Sequence, residues 1–133
     1  MCTNMGRASA RIERNKRINA SNSLPDANAP IINAAIASGE IRDVINGDLQ
    51  RDHIEGGERS ARGYIYGSIE LYRKYRGTGR LIMNNKTGEW TKKERVVCNE
   101  IVGVFDGVET NKLIIVYSVT GCHLYPRKTG GVD

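Results

Sequence analysis

The sequence predicts an α+β fold in which N-terminal helices are followed by an antiparallel sheet of four to five strands. The first half of the chain contains apolar residues at helical spacing, and the second half contains short runs of apolar and β-branched residues. Turn sequences containing glycine or asparagine separate those runs. Helices first and strands afterwards indicate an α+β domain, whereas a regular alternation of strands and helices would indicate a parallel α/β fold.

Two helices are predicted in the first half of the chain. Residues 31–38 follow a proline and precede a glycine, which are the residues preferred at the start of a helix and just past its end. Residues 69–75 place a leucine and two tyrosines on one face, with Ser68 as the predicted N-cap. Between these helices, an Asn-Gly pair predicts a turn that leads into a polar loop over residues 48–57.

The second half of the chain predicts strands joined by tight turns. The predicted strands cover residues 64–66, 80–83, 90–98, 101–105, 113–117 and 122–125. The last two should form a β-hairpin, because a Thr-Gly pair interrupts the apolar sequence between them. Pro126 then ends the final strand, since proline cannot donate a hydrogen bond to the ladder.

The basic residues are unevenly distributed along the 133-residue chain. Residues 1–30 carry five basic and two acidic residues, a net charge of +3, so the remainder carries only +2 of the total of +5. We therefore expect residues 1–30 to form a basic N-terminal extension and linker, and residues 31–133 to form one domain. A basic protein is suited to binding nucleic acid, but a solvated basic arm on a nearly neutral domain explains the charge equally well.

The cysteines do not indicate a disulfide framework or a zinc site. Cys2, Cys98 and Cys122 are odd in number and widely spaced, so we expect buried free thiols in a reducing compartment. The chain also lacks an apolar run long enough to span a membrane and the apolar segment of a signal peptide. We expect a monomer without cofactor, metal or membrane association.

The chain contains only two histidines, His53 in the polar loop and His123 in the last predicted strand. RNA supplies its own nucleophile, so a metal-free ribonuclease needs only a base, an acid and a cation that stabilises the charge on phosphorus. Histidine, with an unperturbed pKa of about 6.5, suits the first two roles, and arginine suits the third. Two histidines in a small protein are more often incidental, so the residue types alone leave the function open.

The order of several motifs resembles the bacterial toxin 50 family, also called polymorphic toxin type 50. The segments that carry the resemblance are INGDLQRDHIEGG, ELYRKYRGTGRL, GEW, VGVF, VETNKLIIVYS and GCHLYP, between residues 36 and 126. The family is a predicted group of RNases with a barnase/EndoU/colicin-like fold, found at the ends of secreted toxins and phage head proteins. The resemblance therefore implies a ribonuclease domain of that fold over residues 31–133.

The resemblance also implies roles for individual residues. His53 and His123 are expected to act as base and acid, in an order that the sequence leaves open, with Arg62 as the leading phosphate contact. The expected substrate-binding residues are Gln50, Arg51, Arg59, Ser60, Tyr64, Tyr117 and Ser118. The implied partners are RNA, either tRNA or another RNA, and a cognate immunity protein. The domain would act in the bacterial cytoplasm after delivery as the C-terminal part of a secreted or phage protein.

The sequence departs from the family pattern at two places. The family usually has a Gly-Arg/Lys-Ser triplet after the first histidine, where this chain has Gly63, Tyr64 and Ile65, and often a histidine where this chain has Val116. The two retained histidines favour a metal-independent endoribonuclease that leaves a 2′,3′-cyclic phosphate. The missing triplet favours the alternative, a non-catalytic RNA- or protein-binding module of phage or mobile-element origin.

Overall fold

The computed structural model describes residues 28–54 and 63–129, and it confirms the α+β class. Its helices are α1 (Ala29–Ala37), α2 (Gly47–Gln50), a single 3₁₀ turn (Arg51–His53) and α3 (Ser68–Tyr75). Its strands are β1 (Gly63–Ile65), β2 (Arg80–Met83), β3 (Trp90–Val97), β4 (Gly103–Phe105), β5 (Val108–Thr110), β6 (Lys112–Val116) and β7 (His123–Pro126). No helix within the described ranges is long and apolar enough to cross a membrane.

The strands form two antiparallel sheets where a single sheet was predicted. One sheet has four strands in the order β2-β3-β6-β7, and the other has three in the order β1-β4-β5. The difference arises because β4 and β5 pair as a hairpin around Asp106 and Gly107, which both have positive φ. β1 then pairs with β4. The predicted final hairpin is confirmed, since β6 and β7 pair over four residues each.

The structure confirms both predicted helices and changes the interpretation of the segment between them. α3 begins after Gly67, which is left-handed, so Ser68 is the first helical residue and not the N-cap. Asn46 does not form a turn with Gly47. Its side chain accepts hydrogen bonds from the N–H groups of Asp48 and Leu49 and so caps α2. Residues 48–53 of the predicted polar loop are therefore helical, and residues 55–57 lie outside the described ranges.

The hydrophobic core lies on one face of the four-stranded sheet. Its buried side chains include Ile32 and Ala35 of α1, Leu71, Tyr72 and Tyr75 of α3, and Leu81, Val96, Leu113, Ile115 and Leu124 of the sheet. Because side chains alternate along a strand, the residues between these core positions point to the other face. Lys93 and His123 belong to that second face, which carries the candidate site.

A buried carboxylate ties α3 to two central strands. Glu94 of β3 is completely buried, and its Oε1 accepts hydrogen bonds from the Gly77 N–H at 2.9 Å and the Tyr117 hydroxyl at 2.5 Å. Its Oε2 accepts from the Gly79 N–H at 2.6 Å. Burial raises the pKa of Glu94, while these hydrogen bonds and the nearby Arg76 oppose the shift. The turn after α3 is thus fixed against β3.

We predict that Gly79→Ala strongly destabilises the domain. A Cβ at Gly79 would lie 2.0 Å from the Arg95 carbonyl oxygen, so the turn after α3 would have to move away from β3 and from Glu94. We expect the free energy of unfolding to fall by more than about 3 kcal/mol, as for severe overpacking combined with loss of a buried hydrogen bond. Urea unfolding followed by circular dichroism measures the change.

Gly47→Ala is the matched control, because a Cβ at that helical position meets nothing within 4 Å. Its free energy of unfolding should change by less than about 1 kcal/mol, and an increase is expected because alanine restricts the unfolded chain. Equal unfolding midpoints for the two variants would contradict the proposed role of the close contact at Gly79.

Candidate functional site

An open cleft of about 790 Å³ lies on the face of the four-stranded sheet that is turned away from the core. Ten residues line it: Leu49, Asp52, His53, Gly63, Lys93, Phe105, Val116, His123, Tyr125 and Pro126. Five of them come from β3, β6 and β7, and Gly63 and Phe105 come from the three-stranded sheet. The cleft therefore lies where the two sheets and the 3₁₀ turn meet.

The structure brings the two histidines of the chain together in this cleft. The rings of His53 and His123 are parallel within 5°, and their centroids are 5.4 Å apart. The Tyr125 ring lies beside both, 5.6 Å from His53 and 6.4 Å from His123 between centroids. Two groups that can each accept or donate a proton are thus held side by side on the wall of an open cleft.

The position of His53 is fixed by the backbone of the final hairpin. Gln50 is buried, and its side-chain amide donates to the Leu124 carbonyl at 2.9 Å and accepts from the Leu124 N–H at 2.7 Å. After His53, Ile54 forms a parallel bridge with Ile65 of β1. Since Leu124 directly follows His123, the Gln50 amide sets the position of one histidine relative to the other.

Asn46 fixes the beginning of the same segment. Its backbone N–H donates to the Cys122 carbonyl at 2.7 Å, and its side-chain amide donates to the Thr120 carbonyl at 3.0 Å. Gly121 has a φ of +112°, and a Cβ there would approach the Asn46 Cβ to 3.1 Å. The hairpin turn and the cap of α2 are therefore built against each other.

The cleft holds His123 in the neutral form. Burial, followed by the repulsion of His53, lowers the pKa of His123 to about 4. Lys93 lowers this pKa further, while Asp52 opposes the shift. The Nδ1 atom of His123 is also buried and makes no hydrogen bond within the part of the chain that the structure describes. A buried ring nitrogen without a partner is unfavourable for folding, so this arrangement calls for an explanation beyond stability.

Two of the predicted substrate contacts near His53 are engaged elsewhere. Both ends of the Gln50 amide bind Leu124, so this side chain positions the site from beneath the surface. Arg51 is exposed and forms an ion pair with Asp48 at 2.5 Å. Neither of these residues lines the cleft, although the next residue in the sequence, Asp52, does. Three further predicted contacts, Arg59, Ser60 and Arg62, lie outside the described residues.

The remaining predicted contacts also lie away from the cleft. Tyr64 is on the opposite face of β1 from Gly63, where its ring packs edge-on against Tyr66. Tyr117 is buried with its hydroxyl on Glu94, and burial raises its pKa. Ser118 belongs to the turn before β7, where its carbonyl accepts from the Arg42 N–H at 2.8 Å. The contacts of these three residues belong to the fold around the site.

Lys93 is a cleft residue that the sequence analysis missed. It lies opposite Val116 in the ladder between β3 and β6, and Val116 lies opposite His123 in the next ladder. These three side chains therefore form one row across the sheet. The alternation of the strand over residues 90–98 was the available signal, because the inward positions of Trp90 and Val96 direct Lys93 outward.

The described residues contain no group of three or more histidine, cysteine, aspartate or glutamate side chains placed to hold a metal ion. Cys98 and Cys122 are buried free thiols on the core side. Burial raises the pKa of Cys98 to about 12 and also raises that of Cys122, so neither is a thiolate near neutral pH. Among the described residues, the polar side chains that line the cleft are thus the two histidines, Lys93, Asp52 and Tyr125.

Comparison with known proteins identifies a family for the chain. The family model for bacterial toxin 50 matches residues 45–126, which is more than half of the 133 residues. No curated protein and no solved structure matches the chain. The matched range begins at Ile45, which bridges to Cys122, and ends at Pro126 of β7, so it contains every described residue that lines the cleft. The chain belongs to the bacterial toxin 50 family.

Proposed function

We propose that this toxin domain is a metal-independent endoribonuclease. The ribose 2′-oxygen attacks the adjacent phosphorus, the bond from phosphorus to the 5′-oxygen breaks, and the products carry a 2′,3′-cyclic phosphate and a 5′-hydroxyl. The observation that carries the proposal is the pair of parallel histidine rings, 5.4 Å apart, on the wall of an open cleft that also contains Lys93. These three side chains can provide the base, the acid and the cation that the reaction needs.

The electrostatics of the cleft support an assignment of the two histidines. A general base must be neutral before reaction, and a pKa of about 4 keeps His123 neutral at pH 7. We therefore assign His123 to remove the proton of the 2′-hydroxyl. His53 then donates its proton to the leaving 5′-oxygen, and proton exchange with water restores both side chains for the next turnover.

Lys93 is the described cation best placed to stabilise the charge that develops on phosphorus. It lines the cleft, and only Val116 separates it from His123 across the two ladders of the sheet. We retain Arg62 as a second candidate, because it immediately precedes Gly63, which also lines the cleft. A guanidinium and an ammonium on one phosphate would stabilise the transition state together.

The shape and composition of the cleft suit single-stranded RNA. Its volume of about 790 Å³ is larger than a side-chain-sized cavity, and Phe105 and Tyr125 offer aromatic faces for a base. We further propose that a cognate immunity protein covers this cleft in the producing cell, because an unregulated ribonuclease would destroy the RNA of its host. The site of action would then be the cytoplasm of a bacterium that the toxin enters as the C-terminal part of a secreted or phage protein.

We predict that the purified protein cleaves total RNA and tRNA in the presence of EDTA. His53→Ala and His123→Ala should each reduce cleavage at least about 10²-fold, because each removes one half of the proton transfer. Gel electrophoresis measures the rate, and mass spectrometry of a short oligonucleotide identifies the 2′,3′-cyclic phosphate.

The matched control for these variants is Lys86→Ala, an exposed residue in the turn between β2 and β3 that does not line the cleft. It should cleave RNA at the rate of the unchanged protein. If the unchanged protein is inert from pH 5 to pH 8 while it still binds RNA, the ribonuclease proposal fails and the non-catalytic binding module replaces it.

We also predict an unusual pH dependence. As the pH falls, kcat/KM should decline only near pH 4, because His123 becomes protonated there and can no longer accept a proton. At pH 5.5 an ordinary histidine base would already be about nine-tenths protonated, given an unperturbed pKa of about 6.5. The chain has two histidines, so nuclear magnetic resonance can follow the titration of His123 directly.

Variants of the neighbouring groups test the physical cause of this pKa. His53→Gln should raise the pKa of His123, because a repelling charge is removed, and Asp52→Asn should lower it, because an attracting charge is removed. Arg42→Gln, at an exposed position outside the cleft lining, should leave it unchanged. Titration of His123 at or above pH 6.5 would contradict its assignment as a neutral base.

A further inference from the structure

Two arginines lie directly opposite each other beside the cleft. In the ladder between β2 and β3, Arg80 is paired with Arg95, and the next pair along is Leu81 with Glu94. Leu81 and Glu94 are buried on the core side, so the side chains of Arg80 and Arg95 project from the other face. This is the face of the sheet that carries the cleft with Lys93 and His123.

This arrangement concentrates positive charge without compensation. Like charges directly opposite each other on neighbouring strands are destabilising. Within residues 28–54 and 63–129, no carboxylate forms an ion pair with Arg80, Lys93 or Arg95. The nearest carboxylate in the strand, Glu94, points to the opposite face and is already bound by three donors. Folding alone therefore gives no reason for placing these cations together.

The three cations lead into the catalytic cleft. Lys93 is two residues before Arg95 on β3, so both side chains project from the same face about 7 Å apart along the strand. Arg80 lies opposite Arg95 on β2, at the edge of the four-stranded sheet, so the row of cations turns from the direction across the strands to the direction along β3 at Arg95. In the other direction, the ladders connect Lys93 through Val116 to His123, across a span of about 10 Å. The row of Arg80, Arg95 and Lys93 is thus continuous with the cleft lining.

We propose that Arg80 and Arg95 bind the backbone phosphates of a single-stranded RNA segment on one side of the cleaved bond, while Lys93 faces the reacting phosphate. The inference rests on the proposed ribonuclease function and deepens it, because it assigns an extended binding path and a direction across the sheet. Guanidinium groups suit this role, since each can form two parallel hydrogen bonds to a phosphate. The spacing along β3 is similar to the separation of successive phosphates in an extended RNA strand.

The geometry favours RNA over an acidic protein as the occupant of this row. Three neighbouring cations, leading to two histidines that can transfer protons, match a chain that carries one negative charge per nucleotide and a reactive bond within the same chain. Two aliphatic residues lie beside these cations, the half-buried Ile82 and the exposed Val97, and they are fewer than the apolar residues at the centre of a typical protein interface.

The test is the salt dependence of binding to a 2′-O-methyl RNA of ten nucleotides, which cannot be cleaved because its 2′-oxygens are blocked. Fluorescence anisotropy gives the association constant at several potassium chloride concentrations. For Arg80→Gln combined with Arg95→Gln, the slope of log K against log salt should be less steep by about 1.4, which corresponds to the loss of two phosphate contacts on a single strand. The affinity at 0.1 M salt should fall about 25-fold if the two lines meet near 1 M.

Two matched variants separate specific contacts from net charge and from misfolding. Arg42→Gln combined with Arg73→Gln removes the same charge from exposed positions outside the cleft lining, and the slope should stay close to that of the unchanged protein. Arg80→Lys combined with Arg95→Lys keeps the charge and should keep most of the slope. If the double glutamine variant has a lower Tm, Arg80→Gln alone, at an exposed position, carries the same test with about half of the change in slope.

The outcome is independent of whether the protein cleaves RNA. A reduced slope in a protein that proves inactive would support the binding path while the ribonuclease proposal fails. An unchanged slope in a protein that cleaves RNA would overturn the binding path and leave the ribonuclease proposal standing, with an acidic protein as the next occupant to examine for this row. Failure of the unchanged protein to bind the ten-nucleotide RNA would also overturn the path.

Discussion

The carboxylate of Glu94 joins the turn after α3 to the centre of the four-stranded sheet. It accepts hydrogen bonds from two glycine N–H groups after α3 and from the Tyr117 hydroxyl after β6. A charged group that is completely buried is unfavourable unless its acceptor atoms are satisfied, and here three donors satisfy them. Because β3 is fixed by this interaction on its core side, the residues that alternate with Glu94, namely Lys93 and Arg95, are presented in fixed positions on the cleft side.

A second polar contact, between Gln50 and Leu124, fixes the positions of the two histidines relative to each other. His53 is mounted on a single 3₁₀ turn, which has too few internal hydrogen bonds to hold a side chain in place by itself. The Gln50 side-chain amide forms hydrogen bonds with both the N–H and the carbonyl group of Leu124, the residue after His123, as the backbone of a paired strand would. Much of the family motif around His53 therefore supports the site from below, and the residues that face the cleft are fewer than the motif suggests.

The sequence predicted most of the helices and strands and both histidines of the candidate site, but not the contacts that the other predicted site residues make. Helix ends and hairpins follow from local signals such as Pro30 and the final Thr-Gly turn, so they could be found without the structure. The division into two sheets depends on long-range pairing of β1 with β4, which no local signal reports. Tyr117 was predicted as a substrate contact because it matches the family motif, whereas its hydroxyl donates to Glu94. Glu94 is distant in the sequence, and the burial of an acidic residue could not be read from composition.

The departure from the family pattern at Val116 has a physical consequence for the proposed mechanism. Val116 lines the cleft between Lys93 and His123 in the two ladders, at the position where the resemblance to the family led us to expect a histidine. An apolar side chain there removes water from around His123 and offers it no hydrogen bond, and burial is the largest cause of its low pKa. A third imidazole at this position would supply a polar neighbour in place of that apolar surface. Val116 therefore favours a neutral His123, which is the state that the proposed mechanism requires of its base.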